Sequence, residues 1–142
     1  MKSFGFALMF ILLIVGNRPI FSQVKQSPKI EVIFDCECDD MVGTIYATEI
    51  RDILSVSPRY KLSPKSRGTK SDFEGYTLKV TTVSADKDNM SIALSYAVLY
   101  SRVDFFLGNS VQVCGKSVIK ECAATTIASM DQIIAKWSEP KK

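Results

Sequence analysis

Histidine is absent from this sequence. That excludes Ser-His-Asp and Cys-His nucleophilic sites, and histidine-bearing zinc sites such as HExxH. Histidine cannot act as the general acid or base either. Catalysis would fall to carboxylates, Cys, Lys, Tyr or a metal site built without histidine. No glycine-rich phosphate loop and no internal repeat is present. Charge of one sign is also scarce. Eighteen Lys and Arg stand against 15 Asp and Glu, a net charge of +3. That is too small an excess to imply a nucleic-acid partner.

What is present begins at the N-terminus. MKSFGFALMFILLIVGNRPIFSQ opens with one lysine and runs apolar from Phe4 to Val15 before turning polar. A short charged start, an apolar core and small residues beyond describe a secretory signal peptide over residues 1–22. The run is short for a spanning helix, which needs about 20 apolar residues. Cleavage is expected after Ser22, with Gly16 as a second candidate and an uncleaved anchor as the alternative. No cysteine lies near the cut, so a lipid anchor is not indicated. Losing residues 1–22 removes Lys2 and Arg18 and no acid, which lowers the charge from +3 to +1. The remaining chain is long enough for one domain and too short for two. The predicted location is periplasmic or extracellular, with no integral span after cleavage. That compartment is oxidising, so the four cysteines are expected to form bridges.

Residues 23–28 read as a flexible leader, 29–138 as a single domain and 139–142 as a solvated tail. KIEVIFDCEC, 29–38, alternates as a strand. Ile30, Val32, Phe34, Cys36 and Cys38 share one face, while Glu31, Asp35, Glu37 and Asp39 share the other. Asp39 or Asp40 then caps a helix. Its apolar stripe is Val42, Ile45, Tyr46, Ile50, Ile53 and Leu54, and Pro58 stops it. Tyr60 and Leu62 suggest a short strand, and 63–75 a loop rich in Ser, Gly, Lys and Arg. Residues 76–85 are β-branched and alternate as a strand, and 91–102 form a second long strand. In the second, Ile92, Leu94, Tyr96, Val98 and Tyr100 share one face. The small Ala93, Ser95, Ala97 and Leu99 on the other could pack under a helix. A further strand lies within 103–114, most clearly at SVQVC. Ser117 to Trp137 follows the three-four spacing of a helix. Two helices cannot cover both faces of a wide sheet. The expected fold is therefore an α/β (α+β) two-layer sandwich: a mixed sheet of about four to five strands with both helices on one face.

Four cysteines allow three pairings. Cys114 ends a strand and Cys122 opens the last helix. The loop GKSVIKE between them is tight enough to bring their Cα atoms within bridging range, about 5 to 6 Å. That pair is the expected disulfide. Cys36 and Cys38 point the same way, so joining them directly requires a bend. Such a ring is tight and would favour thiol–disulfide exchange. Otherwise both are buried small hydrophobes, or they cross-link to Cys114 and Cys122. Two thiolates alone make a poor zinc site, although a site using all four stays open. No cofactor is expected.

Several surface features are candidates for partner contact. Lys61, Lys65, Arg67 and Lys70 gather around the 63–75 loop, where an anionic partner could meet them or water could simply solvate them. Phe105, Phe106 and Leu107 are either an exposed patch or, as the favoured reading, the core-facing start of a strand. Asn89-Met90-Ser91 fits a glycosylation acceptor. The acids Asp35, Glu37, Asp39 and Asp40 lack the glycine turn and distal glutamate of a calcium loop. They read as a wet strand face and a helix cap.

Residues 47–64, ATEIRDILSVSPRYKLSP, place a helix, a small polar turn and an aromatic-x-apolar strand in succession. Through Ser57, Arg59, Tyr60 and Leu62 the segment resembles the module of bacterial envelope proteins typified by the N-terminal domain of TolB and by CsgG. The resemblance implies a periplasmic α/β interaction module whose partner is another envelope or extracellular protein, and it carries over no functional residue. The corresponding expectation is an interaction domain without catalysis. The alternative is a thiol-active protein using Cys36 and Cys38.

Overall fold

A computed structural model describes residues 28–64, 73–88 and 90–138. The expected signal peptide, most of the leader, the tail, Asn89 and the basic residues Lys65, Arg67 and Lys70 lie outside the described residues.

The first strand, β1, spans Ile30–Glu37. Its alternation puts Val32 and Phe34 in the core and Asp35 and Glu37 on the opposite face. Asp40 then starts helix α1, Met41–Val56. One oxygen of its carboxylate accepts the Gly43 amide hydrogen at 2.7 Å, and the other accepts the Thr82 hydroxyl at 2.8 Å. A single side chain thus caps the helix and ties it to the sheet. The helix ends at Ser57, whose amide donates to the Leu54 carbonyl, and Pro58 prevents its continuation. The Ser57 hydroxyl oxygen accepts the amides of Arg59 and Tyr60, which turns the chain into β2, Tyr60–Ser63.

Strand β2 lies parallel to β1, as the intervening helix requires. Strand β3, Tyr76–Ser84, is parallel to β1 on its other side. Strands β4, Ser91–Tyr100, and β5, Phe105–Gly115, then continue antiparallel. In the β3–β4 turn the Asp86 carboxylate accepts the Met90 amide and the Ser91 hydroxyl. A 3-10 turn over Lys116–Val118 leads into α2, Ile119–Ser138. The sheet order is β2-β1-β3-β4-β5. Both helices pack against each other and against one face, which is the expected two-layer fold.

The covered face is read from alternate positions. Val32, Leu78, Val80, Ile92, Leu94, Val98 and Cys114 meet Ile50, Leu54, Met130 and Ile134. Ala93, Ser95, Ala97 and Leu99 do not pack under a helix, contrary to the expectation from their size. Their neighbours at even positions are larger and draw both helices to the other face, because the apolar area removed from water is greater there.

One polar chain crosses the core. The Tyr46 hydroxyl donates to Thr126 Oγ1 at 2.6 Å, and Gln112 Nε2 donates to the same oxygen at 2.7 Å. The chain joins α1, α2 and β5. Burial pushes the Tyr46 phenol up to about 12, against the opposing effect of its Thr126 hydrogen bond. Tyr60 is raised in the same sense, by burial and then by its hydrogen bond to Asp131. A phenol whose folded pKa lies above its unfolded value of 10.0 contributes stability that is complete below pH 10 and lost as pH rises towards 12. At about 1.4 kcal/mol per tenfold change, Tyr46 accounts for a loss on the order of 2 to 3 kcal/mol. Urea unfolding at pH 9 and pH 11.5 should show this drop, and Tyr46→Phe should shrink it. At neutral pH the same substitution is expected to cost about 1 to 2 kcal/mol, because Thr126 loses a buried partner. An alkaline response identical in Tyr46→Phe and wild type would refute the assignment to Tyr46.

Candidate functional site

With both helices on one side, no described element covers the other face of the sheet. Pairing across β3, β4 and β5 sets the rows on that face. Val83, Ala93 and Val113 form one row, and Thr81, Ser95 and Val111 form the next. Leu99 pairs with Phe106 at the far end, beyond a register shift after Val98. Val111 and Val113 are 70% and 68% exposed, and Val83 is 58% exposed. The half of the face over β1 and β3 is polar, with Asp35, Glu37, Lys79 and Thr81 around a shallow depression. The apolar half therefore lies at the β5 edge.

Strand β5 is an edge strand of 11 residues whose segment FFLGNSVQVCG contains no charge and no proline. Such an edge offers unpaired backbone groups, and proteins that avoid strand pairing usually blunt it with charges or proline. Phe105 and Phe106 begin this strand, as expected, yet they are half exposed rather than core. The favoured core reading is corrected by topology: among the described residues β5 has a neighbour on one side only. Phe105 packs edge-on against Trp137, with ring centroids 5.4 Å apart, and the Trp137 indole N–H donates to the Leu107 carbonyl at 3.0 Å. The sequence pattern drew attention to SVQVC but not to its outward residues. Gln112 and Cys114 face the core, while the two valines face out. Two valines alternating with a glutamine could have signalled this only if the covered face were already known.

A second region lies at the other end of the sheet. Tyr60 to Ser63 pair with Ile30 to Ile33, whereas Phe34 to Glu37 have a strand partner only in β3 among the described residues. A cleft of about 560 Å³ opens beside this half of β1, lined by Phe34, Asp35, Cys36, Arg51, Leu62, Ser63 and Pro64. The Arg51 guanidinium sits 5.1 Å above the Phe34 ring and forms no ion pair among the described residues. Three other cations, Arg59, Lys61 and Arg102, are engaged in ion pairs. Lys61 binds Glu31 at 2.6 Å, and Arg59 binds Asp131 at 3.1 Å. Hydrogen bonds from Lys61 and Ser63 hold the Glu31 carboxyl below its ordinary value.

The cysteines fall into two pairs. Cys114 and Cys122 are disulfide-bonded with Cα atoms 6.2 Å apart, joining the end of β5 to the first turn of α2. Cys36 and Cys38 are also bonded, with Cα atoms 5.4 Å apart. The bend they require is present because β1 ends at Glu37 and the chain turns there toward Asp40. Among the acids, Asp40 is the cap, and no group of three His, Cys, Asp or Glu side chains converges among the described residues.

No family model and no curated protein matches this sequence. Solved structures do share its fold. It is similar to TolB from Acinetobacter baumannii, at a TM-score of 0.58 and 12% identity over 77% of this chain. The chain spans 29% of the length of that protein. It is also similar to a Xanthomonas campestris protein described under the DUF330 family, at a TM-score of 0.61 and 7% identity over 81% of this chain and 91% of the other. At such identities the likeness is one of fold alone. The five-stranded sheet with two helices on one face is thus a TolB-like fold.

Proposed function

We propose that the chain is a small exported interaction domain of the cell envelope that docks another protein along the β5 edge and the apolar half of its open sheet face. The carrying observation is the concentration of exposed apolar side chains there: Phe106, Val111 and Val113 on an uncharged edge strand, with Val83 beside them. At about 3.4 Å per residue, the edge is long enough to seat a full partner strand. The partner chemistry that fits is an extended segment. Its backbone adds to β5 and its alternate apolar side chains lie beside the valines. The apolar N-terminal run and the fold shared with TolB support export to the envelope. The reading assigns no catalytic step.

Val111→Lys combined with Val113→Lys tests it. Both side chains are exposed, so stability should change by no more than about 0.5 kcal/mol each. A photo-crosslinker at Asn109 should trap a defined envelope protein in the wild type and lose it in the double variant. Lys79→Glu, on the polar half of the same face, should leave the crosslink intact. A crosslink that survives the two lysines would refute docking at this edge.

A further inference from the structure

We propose that Cys36–Cys38 is an exchangeable disulfide that reacts, in the cleft beside β1, with a cysteine thiol of a partner polypeptide. The two disulfides of this chain differ in the ways that matter for exchange. Cys114 is fully buried and Cys122 partly so, which leaves an incoming sulfur only the Cys122 side of that bridge. Cys36 lines an open cleft of about 560 Å³. The two also differ in what they do for the fold. Cys114–Cys122 spans eight positions between a strand and a helix, whereas Cys36–Cys38 encloses one residue, Glu37. A ring that short removes little freedom from the unfolded chain, so stability alone gives it little purpose.

The surroundings of Cys36 suit the reaction. Exchange proceeds through a thiolate, and a neighbouring cation raises the thiolate fraction. Arg51 supplies such a cation in the same cleft, held over Phe34, with the Asp35 carboxylate the opposing charge in the lining.

The step balances without an outside oxidant. The partner's thiolate attacks Sγ of Cys36, the sulfur that lines the cleft. A bond forms between the partner sulfur and Cys36, the Cys36–Cys38 bond breaks, and Cys38 departs as a thiolate that takes a proton from water. The partner cysteine is oxidised to a mixed disulfide, and Cys38 is reduced. A second thiol of the partner then attacks the partner's sulfur in that mixed disulfide. The partner leaves with its own disulfide, and Cys36 leaves as a thiol.

Graded reduction of the wild-type protein with reduced glutathione, followed by alkylation and peptide mass spectrometry, tests the proposal. Cys36 and Cys38 should be alkylated while Cys114–Cys122 stays intact and circular dichroism is unchanged. Opening of Cys114–Cys122 first, or resistance of Cys36–Cys38 until the protein unfolds, would overturn it. Two variants locate the reaction. Cys38→Ser, which leaves Cys36 free, should form an adduct with glutathione disulfide several-fold faster than Cys36→Ser. Arg51→Gln in the Cys38→Ser background should slow that reaction several-fold and move its pH midpoint upward. Equal rates for the two serine variants, or a midpoint insensitive to Arg51, would overturn the role given to the cleft.

Discussion

Gly43→Ala is expected to destabilise the protein by about 2 to 3 kcal/mol, although the same change inside an exposed helix stabilises by roughly 1 kcal/mol. The reversal comes from what faces Gly43. A β-carbon there would collide with the Thr82 hydroxyl and lie 2.7 Å from the Asp40 carboxylate. Those two groups form the hydrogen bond that ties the α1 cap to β3. Relief requires either that bond to break or the first turn of α1 to lift from the sheet. Both remove packing from a region where Val42 and Thr82 are buried. Thr82→Ala should partly rescue the variant, because it removes the oxygen that collides. A double-mutant cycle should therefore show coupling above about 1 kcal/mol between the two positions. Thermal unfolding by circular dichroism should place Gly43→Ala roughly 10 °C below wild type. A melting temperature equal to or above wild type would sink this account of the α1 start.

The second large effect is expected from removing Cys114–Cys122. The bridge closes a loop of eight positions, and the chain-entropy relation gives about 2.5 kcal/mol for a loop of that size. Replacing both cysteines by alanine should cost at least that much, because Cys114 is also a packed core side chain. Replacing Cys36 and Cys38 by alanine should cost less than about 1 kcal/mol, since their ring encloses one residue and both are only partly buried. Urea unfolding of the two double variants gives the comparison. A larger loss from the Cys36 and Cys38 pair would show that the local ring, not the strand-to-helix bridge, is the structural one.

Much of the fold was legible because the elements obey simple periods. β1 alternates strictly enough that Val32 and Phe34 could be placed inside and Asp35 and Glu37 outside without coordinates. The stripe from Val42 to Leu54 described α1, and the Asp40 cap was one of two candidates. The bend that joins Cys36 to Cys38 was one of several open possibilities. The outward valines of β5 were not legible. A strand with valines at 111 and 113 and Gln112 and Cys114 between them has no clear inside. Gln112 turns inward because Thr126, 14 positions away, offers its hydroxyl oxygen. A sequence does not display such a partner.

By itself, the sequence determined the chemistry that histidine would have carried, by lacking it, and the order of strands and helices. It also made both helices on one face the economical packing, because two amphipathic helices cannot cover both faces of a wide sheet. Tertiary structure alone decided which face that is, and so which side chains remain open to a partner. It alone decided that β5 is an edge, that Phe105 and Phe106 stand half in solvent, and that Cys36 looks into a cleft beside Arg51. The physical reason is that local periodicity divides a strand into two faces without ranking them. The ranking comes from apolar area buried between residues far apart in the chain, summed over the whole sheet.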